Sequence, residues 1–303
     1  MPKICYVDTR FHGKSLETIE LVNQIVEDYQ AQGYNLTLRQ VYYQMVSRGY
    51  IPNNDKEYKK LGDLINNGRL AGVIDWKAIE DRTRNLRSLA HWDDPKDIIR
   101  ASAEQFKYNK WAVQDYHVEV WVEKDALVGI VGQIANQLDV SFFSCRGYVS
   151  QSEMWSAAQR LISYEEEGKT CLLLHLGDHD PSGRDMSRDI VDRLNLFGAS
   201  PEFERLGLNY DQIEMYNPPP NPTKLQDTRS AGYIEEFGHE CWELDALEPS
   251  VITGLIQDAV FGVRDVDLWA AEVEREKEVK KVLHKVSSGW DKVVPFAKSL
   301  FGG

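Results

Sequence analysis

Between Thr170 and Leu176 the chain runs Thr-Cys-Leu-Leu-Leu-His-Leu, almost without a polar break, and Gly177-Asp178-His179-Asp180-Pro181-Ser182-Gly183 follows at once. A run this short and this apolar does not alternate between core and water. It reads as a strand covered on both faces, the habit of parallel sheets. The glycines, proline and aspartates behind it are turn formers and predict a loop and a helix start at the strand's carboxyl end. Upstream, His117 to Glu123 alternates like a strand, Ala126 to Leu138 has helical spacing, Val140 to Ser144 is a second strand and Glu153 to Glu166 a second helix. Strand, helix, strand, helix, strand is an α/β module.

The front of the chain is helical instead. Ser15 to Gln32 carries Leu16, Ile19, Val22, Ile25 and Val26 at helical spacing, with Ser15 placed to cap it and Gly33 to close it. Thr37 caps a second helix, Leu38 to Ser47. A third, Lys56 to Leu70, sets Tyr58, Leu61, Leu64 and Ile65 on one face and its lysines on another. Ala71 to Trp76 then reads as a short strand or wing. Three short helices and a wing are the layout of a winged helix-turn-helix. The expected organisation is therefore residues 1–90 as a winged-helix (CAP-like) domain, 91–110 as a polar connector, and 111–303 as the α/β domain. The stretch Asp267 to Lys285 is expected to end that domain as a solvated helix. Pro218 to Pro222 is a stiff loop.

Composition narrows the function classes. The 303 residues carry a formal charge of −13, with 42% hydrophobic and 27% charged residues. No apolar run approaches the roughly 18 residues of a membrane span, and the N-terminus has no apolar segment of the secretory kind, so an intracellular protein without a membrane partner is expected. Cys5, Cys145, Cys171 and Cys241 are too scattered for a CxxC pair, which argues against structural zinc and against a disulfide framework. The charge is unevenly spread. Up to Arg87 there are 13 basic against 11 acidic residues, which leaves 22 against 37 for the remainder. Lys56, Lys59, Lys60, Arg69, Arg82 and Arg84 cluster in the front part, a pattern that suits contact with phosphates of a duplex.

Two carboxylates one residue apart at a strand end, Asp178 and Asp180, can face a hard cation together. The same sequence is also ordinary turn chemistry. Glu123 ends another apolar strand just before a helix start, so neighbouring parallel strands would bring it beside Asp178 and Asp180. Three converging acids repel unless a cation neutralises them, which predicts Mg²⁺ in a site completed by water or phosphate. A helix dipole alone would also favour Glu123. In the front part, Arg39 and Tyr43 lie four apart on one helical face, where a guanidinium and a phenol could share a phosphate. Paired tyrosines on an amphipathic helix are also common packing residues.

Taken together, Arg39-Gln40-Val41-Tyr42-Tyr43, then Val122-Glu123-Lys124-Asp125-Ala126, then Asp178-His179-Asp180-Pro181-Ser182-Gly183 resemble the A subunit of topoisomerase VI and its meiotic double-strand-break relative. Arg146-Gly147-Tyr148 and Trp242-Glu243-Leu244-Asp245-Ala246-Leu247 are weaker matches in the same order. The resemblance spans most of the chain and implies a winged helix followed by a Toprim domain, a Rossmann-like parallel sheet. It implies Tyr43 as nucleophile for a 5′-phosphotyrosyl link to DNA, Arg39 as its basic neighbour, and Glu123, Asp178 and Asp180 as Mg²⁺ ligands, with Glu123 also catalytic. It further implies a homodimer in which the tyrosine of one protomer meets the metal of the other. Gln40 stands where many relatives have an acid, and Val149 where a proline often follows the tyrosine. The extension that engages the ATP-hydrolysing B subunit is expected to be missing, so a B-like partner is not implied. That makes the chain most similar to the short stand-alone Mini-A proteins of mobile elements and viruses. Two rivals remain: a Toprim nuclease that uses water, and a winged-helix DNA-binding protein without catalysis.

Overall fold

Apolar residues every third or fourth position bring the first three helices together. In the computed structural model, which describes residues 3–80, 89 and 91–301, α1 (Lys14–Ala31) buries Ile19, Val22, Ile25, Val26 and Tyr29. Its cap is Gly13, at φ 51°, so Ser15 lies inside the first turn rather than ahead of it. β1 (Leu36–Thr37) leads into α2 (Leu38–Ser47), which opens with a capping box. Gln40 N–H donates to Thr37 Oγ1 at 3.4 Å, and Thr37 N–H donates to Gln40 Oε1 at 2.8 Å. The glutamine that departs from the resemblance thus serves the helix start. α3 (Asp55–Leu70) follows behind Asn54, whose side chain accepts from Glu57 N–H at 3.0 Å. Leu36, Val41, Met45, Leu61, Ile65, Ile74 and Ile79 fill the space between the three helices.

The strand expected at Ala71 to Trp76 is a turn. Gly72 sits at φ 72°, and a side chain there would run into the backbone of Cys5. Asp75 accepts from Lys77 N–H at 2.8 Å, an Asx-type closure that competes with strand pairing. The strand comes later, as β2 (Ile79–Glu80), parallel to β1. Pro95–Gln105, inside the stretch read as a connector, forms the helix α4 behind an Asp94 cap.

The α/β part follows as β3 (Tyr116–Val122), α5 (Val128–Leu138), β4 (Ser141–Ser144), α6 (Gln151–Glu166), β5 (Thr170–Leu176), α7 (Pro181–Leu196) and β6 (Glu202–Gly207). β3 to β5 and the two helices between them fall within a few residues of the expected ones, α7 begins where a helix start is expected, and β6 is a strand the sequence reading does not include. The four strands form one parallel sheet in the order β4-β3-β5-β6. From β3 the chain steps to one side, then crosses back to build β5 and β6 on the other. The order therefore reverses between β3 and β5, and in an open α/β sheet a crevice opens at the carboxyl ends of such a pair. Trp121, Met154, Ala158, Leu161, Leu173, Ile190 and Leu194 pack the sheet against α6 and α7.

The chain continues with α8 (Tyr210–Tyr216), β7 (Asn221–Pro222), α9 (Ser230–Phe237), β8 (Glu240–Cys241), α10 (Pro249–Val263), α11 (Val266–Ser288) and α12 (Trp290–Phe301). Two compact units result. One joins Met1–Arg84 to Val118–Gly262, and the other joins Asn85–His117 to Val263–Gly303. In the first, Tyr29 donates to Glu248, and the hydroxyls of Tyr34 and Thr253 lie 3.1 Å apart. All four cysteines are free. Among the described residues no helix is long and apolar enough to cross a membrane.

In the second unit α11 is more than the solvated helix its sequence suggests. One face packs along α4, and Ser287 Oγ donates to the Lys96 carbonyl at 2.9 Å. Glu276 turns inward and takes Lys110 Nζ at 2.8 Å, Lys280 Nζ at 2.8 Å and the Tyr108 N–H at 3.1 Å. Burial alone would raise this carboxyl, but the hydrogen bonds from Lys110, Lys280 and Tyr108 hold it down at about 2. A carboxyl with a depressed folded pKa stabilises above its unfolded value of 4.5, and that contribution fades as pH falls toward 2. Glu276→Gln is expected to cost roughly 2 kcal/mol at pH 7. In thermal unfolding, the gap between variant and parent should close steadily below pH 5.

Candidate active site

The carboxyl ends of β3 and β5 deliver Glu123 and the Asp178–Asp180 loop to the crevice. Asp178 N–H donates to Glu123 Oε2 at 2.9 Å, so the two strand ends are tied by the very residues in question. Asp180 caps α7: its Oδ1 accepts from Gly183 N–H at 2.6 Å, and Pro181 takes the first helical position, where a missing N–H costs nothing. Gly183 is required by close approach, since a side chain there would run into the Asp178 carbonyl and lie 3.0 Å from Glu123 Oε2. Burial raises the Glu123 carboxyl, with Asp180 adding to the effect while the Asp178 N–H, Lys124 and Arg205 oppose it. Burial likewise raises Asp178 against the pull of Lys124.

The three acids are not equivalent. Both Asp178 oxygens are taken, Oδ1 by the Leu244 N–H at 2.8 Å and Oδ2 by Lys124 Nζ at 2.7 Å. Glu123 Oε1 and Asp180 Oδ2 accept no hydrogen bond among the described residues. Among those residues no group of three or more His, Cys, Asp or Glu side chains is arranged as a ready metal cage. Mg²⁺ does not ask for one, since it is commonly held by one or two carboxylates together with water and substrate phosphate.

Lys124 is the centre of a second cluster. Besides Asp178 it meets Glu243 Oε2 at 2.8 Å and Asp245 Oδ1 at 2.9 Å, one carboxylate for each of its three N–H bonds. Arg39 approaches the same two acids from α2. Its Nε lies 2.6 Å from Asp245 Oδ2, and its Nη2 is paired with Glu243. The guanidinium carbon stands 5.6 Å from the centre of the Tyr43 ring. Arg39 and Tyr43 thus share a face as their four-residue spacing implies, and the Trp242–Leu247 segment joins them to the acids through charge.

Tyr42 and Tyr43 have different jobs. Tyr42 donates to Asn53 Oδ1 at 2.9 Å and accepts from Asn54 N–H at 2.7 Å, which fixes the turn before α3. Tyr43 is 4% exposed, and its hydroxyl faces Asn221 and the two carboxylates. Burial raises its phenol, Glu243 and Asp245 raise it further, and Arg39 and Asn221 pull it down. In this arrangement Tyr43 keeps its proton. Glu243, Asp245, Lys124 and Asn221 are participants that sequence reasoning missed as chemistry, although the Trp242–Leu247 match marked where two of them lie. Arg205 is another. It clamps the loop from behind, with Nη2 donating to the Gly177 carbonyl at 3.0 Å and Nη1 to the Gly183 carbonyl at 3.1 Å.

The basic residues of the front part divide. Lys56, Lys59 and Lys60 are exposed on α3, with Lys60 paired to Glu57 at 2.6 Å. Arg69 is spent within the fold: its Nη2 donates to the carbonyls of Trp76 and Ile79. Arg82 and Arg84 lie outside the described residues. Arg146 pairs with Asp125 at 3.0 Å, and Tyr148 bonds Asp185 at 2.5 Å.

Compared with known protein families, curated proteins and solved structures, the chain matches none.

The Lys124 cluster has a measurable consequence. Lys124→Met would leave three carboxylates facing one another without their central cation, which costs about 3 to 5 kcal/mol when such a pair is broken in a buried setting. The loss, read by chemical denaturation at pH 7, should shrink toward pH 5, because the unpaired acids then protonate and repel less.

Proposed function

We propose that the chain is a Mg²⁺-dependent DNA-cleaving protein of the type IIB topoisomerase A-subunit class, forming a 5′-phosphotyrosyl link through Tyr43. The observation that carries this reading is the continuous chain of charge from Tyr43 through Arg39, Glu243, Asp245 and Lys124 to Asp178, which ends beside Glu123 and Asp180. A nucleophile, a phosphate-binding cation and a metal-type carboxylate pair in one compact unit are the parts that phosphoryl transfer needs. The switch point between β3 and β5 supports reading the sheet as a Toprim domain. The three helices with the β1–β2 pair support reading the front part as a winged helix.

The free oxygens of Glu123 and Asp180 fit Mg²⁺, a hard cation that prefers carboxylate oxygen. When bound there it would supply positive charge to a phosphoryl oxygen. Asp178 holds the loop in place through Glu123 and keeps Lys124 at the edge of the site. Tyr43 is protonated at rest because burial and two carboxylates disfavour its anion. A phosphodiester competes with Glu243 and Asp245 for the Arg39 guanidinium and draws that charge toward the reacting oxygen. The bond from Tyr43 Oη to phosphorus forms as the bond to the 3′ oxygen breaks, and the proton released by the phenol is accounted for at the leaving 3′ hydroxyl. Lys56, Lys59 and Lys60 grip the duplex backbone without reading sequence.

Incubation of internally labelled supercoiled DNA with protein and Mg²⁺, followed by denaturation, is expected to leave protein attached to 5′ ends. Tyr43→Phe should lose both cutting and attachment by roughly 10³-fold or more. Free 5′ ends that persist in this variant would instead identify a water-using nuclease, and binding without any cut would identify a non-catalytic DNA-binding protein.

A double-strand break calls for two sites related by two-fold symmetry, hence a homodimer. If the tyrosine of one protomer serves the acids of the other, a mixture of Tyr43→Phe and Glu123→Ala proteins is expected to nick one strand, although neither variant cuts alone. The salt bridges of Arg39 to Glu243 and Asp245 within one chain favour a second reading, in which the site is completed in cis. That reading predicts an inactive mixture under conditions where subunits exchange.

A further inference from the structure

Behind the acid loop, between α7 and β6, lies a cavity of about 340 Å³ lined by Arg184, Ser187, Arg188, Val191, Phe203 and Arg205 together with Asp192. Its electrostatics are the reverse of those in the crevice. Arg188 is neutralised, at 2.7 Å from Asp185 and 2.5 Å from Asp192. Neither Arg184 nor Arg205 forms an ion pair with a carboxylate among the described residues. Arg205 spends its fork on main-chain carbonyls and on Ser187. Arg184, exposed in the first turn of α7, has only the face of the Phe237 ring, 4.6 Å away. The two guanidiniums lie close enough to repel each other. In a part of the chain as acidic as this one, Arg184 has no ion-pair partner among the described residues and Arg205 feels Glu123, Asp178 and Asp180 without an ion pair to any of them, so an anion in the cavity would offset the repulsion between the two guanidiniums.

Phe203 and Val191 give the cavity an apolar wall, and its volume admits a phosphate with the sugar attached. The position is equally specific. Arg205 holds the carbonyls of Gly177 and Asp178, so it connects this cavity directly to the loop that carries the acids. We infer that the cavity receives a phosphodiester of the bound DNA strand next to the one at Glu123 and Asp180, with Arg184 as its principal ligand and Arg205 and Ser187 behind it. The inference rests on the DNA-cleaving reading of the acid site and adds to it a subsite that fixes the strand's path. The Tyr43 chemistry does not require it.

The experiment uses the full chain without divalent ions, so that binding is separated from cutting. Affinity for a fluorescent DNA duplex is measured over a series of salt concentrations for the parent, Arg184→Gln and Arg188→Gln. Arg184 is exposed, and its loss disturbs no ion pair. Arg184→Gln is expected to reduce the slope of log affinity against log salt by about 0.9, and to weaken binding about eightfold near 0.1 M salt, the release expected for one phosphate. Arg188→Gln should leave both values near those of the parent, because Asp185 and Asp192 already neutralise its charge.

An unchanged slope for Arg184→Gln overturns the inference, as does an equal loss in Arg188→Gln, which would reveal a general charge effect. A parent that binds no duplex overturns it as well. If calorimetry then finds inorganic phosphate bound by the parent and not by Arg184→Gln, the cavity serves a free phosphate and not a strand. The 5′-attachment assay on the same proteins separates this inference from the reading it rests on. Attachment with an unchanged slope removes the subsite alone, whereas a lost slope without attachment removes the Tyr43 chemistry alone.

Discussion

One ammonium group holds the candidate site together. Lys124 Nζ lies between 2.7 and 2.9 Å from carboxylates of Asp178 on one segment and of Glu243 and Asp245 on another. Burying four charges is expensive, and the arrangement is tolerable only because each lysine N–H finds an acceptor and the acids find further donors in Arg39 and the Leu244 N–H. The rest of the geometry follows from that pairing. Asp178 is drawn toward Lys124, Glu123 and Asp180 are left with open oxygens, and Arg39 is fixed above Tyr43.

The same pairing determines how the front helices meet the α/β part. Ala246 is buried in the core of the first three helices, one residue from Asp245. Asn53 Nδ2 donates to Asn221 Oδ1 at 2.7 Å, while Tyr42 holds Asn53 from the other side. Apolar contact and ion pairing therefore converge on one seam. Apolar burial supplies adhesion there and the charges supply register, because a guanidinium and an ammonium between two shared carboxylates accept little displacement.

Opposite electrostatic environments sit on the two sides of the Asp178–Asp180 loop. Toward the crevice, acids crowd and their carboxyls are pushed up by burial. Toward α7 and β6, Arg184 and Arg205 form no ion pair with a carboxylate among the described residues, while Arg188 is paired with Asp185 and Asp192. Arg205 is the divider, with its pKa lowered to about 10 by burial and its fork on the main-chain oxygens of the loop. With a divalent cation held at Glu123 and Asp180 as proposed, a polyanion lying across the loop would meet attraction on both sides.

Much of this was legible in the sequence because it is local. The apolar run Thr170 to Leu176 specifies a doubly covered strand, Thr37 specifies a helix start through its own side chain, and an Asp-Pro-Ser-Gly turn behind a strand places carboxylates at a sheet's carboxyl end. The four-residue spacing of Arg39 and Tyr43 likewise determines a shared face. What the sequence could not decide by itself depends on partners far along the chain. That Asp178 meets the Lys124 ammonium, that Arg69 reaches the carbonyls of Trp76 and Ile79, and that Glu276 sits in a packed face all come from tertiary contacts. Ala71 to Trp76 is a turn in which Gly72 passes close to Cys5, a contact that no local propensity records. Side-chain period and turn chemistry act over a few residues and survive in any fold, whereas the charge state and role of a side chain are set by whatever the fold brings within about 4 Å of it.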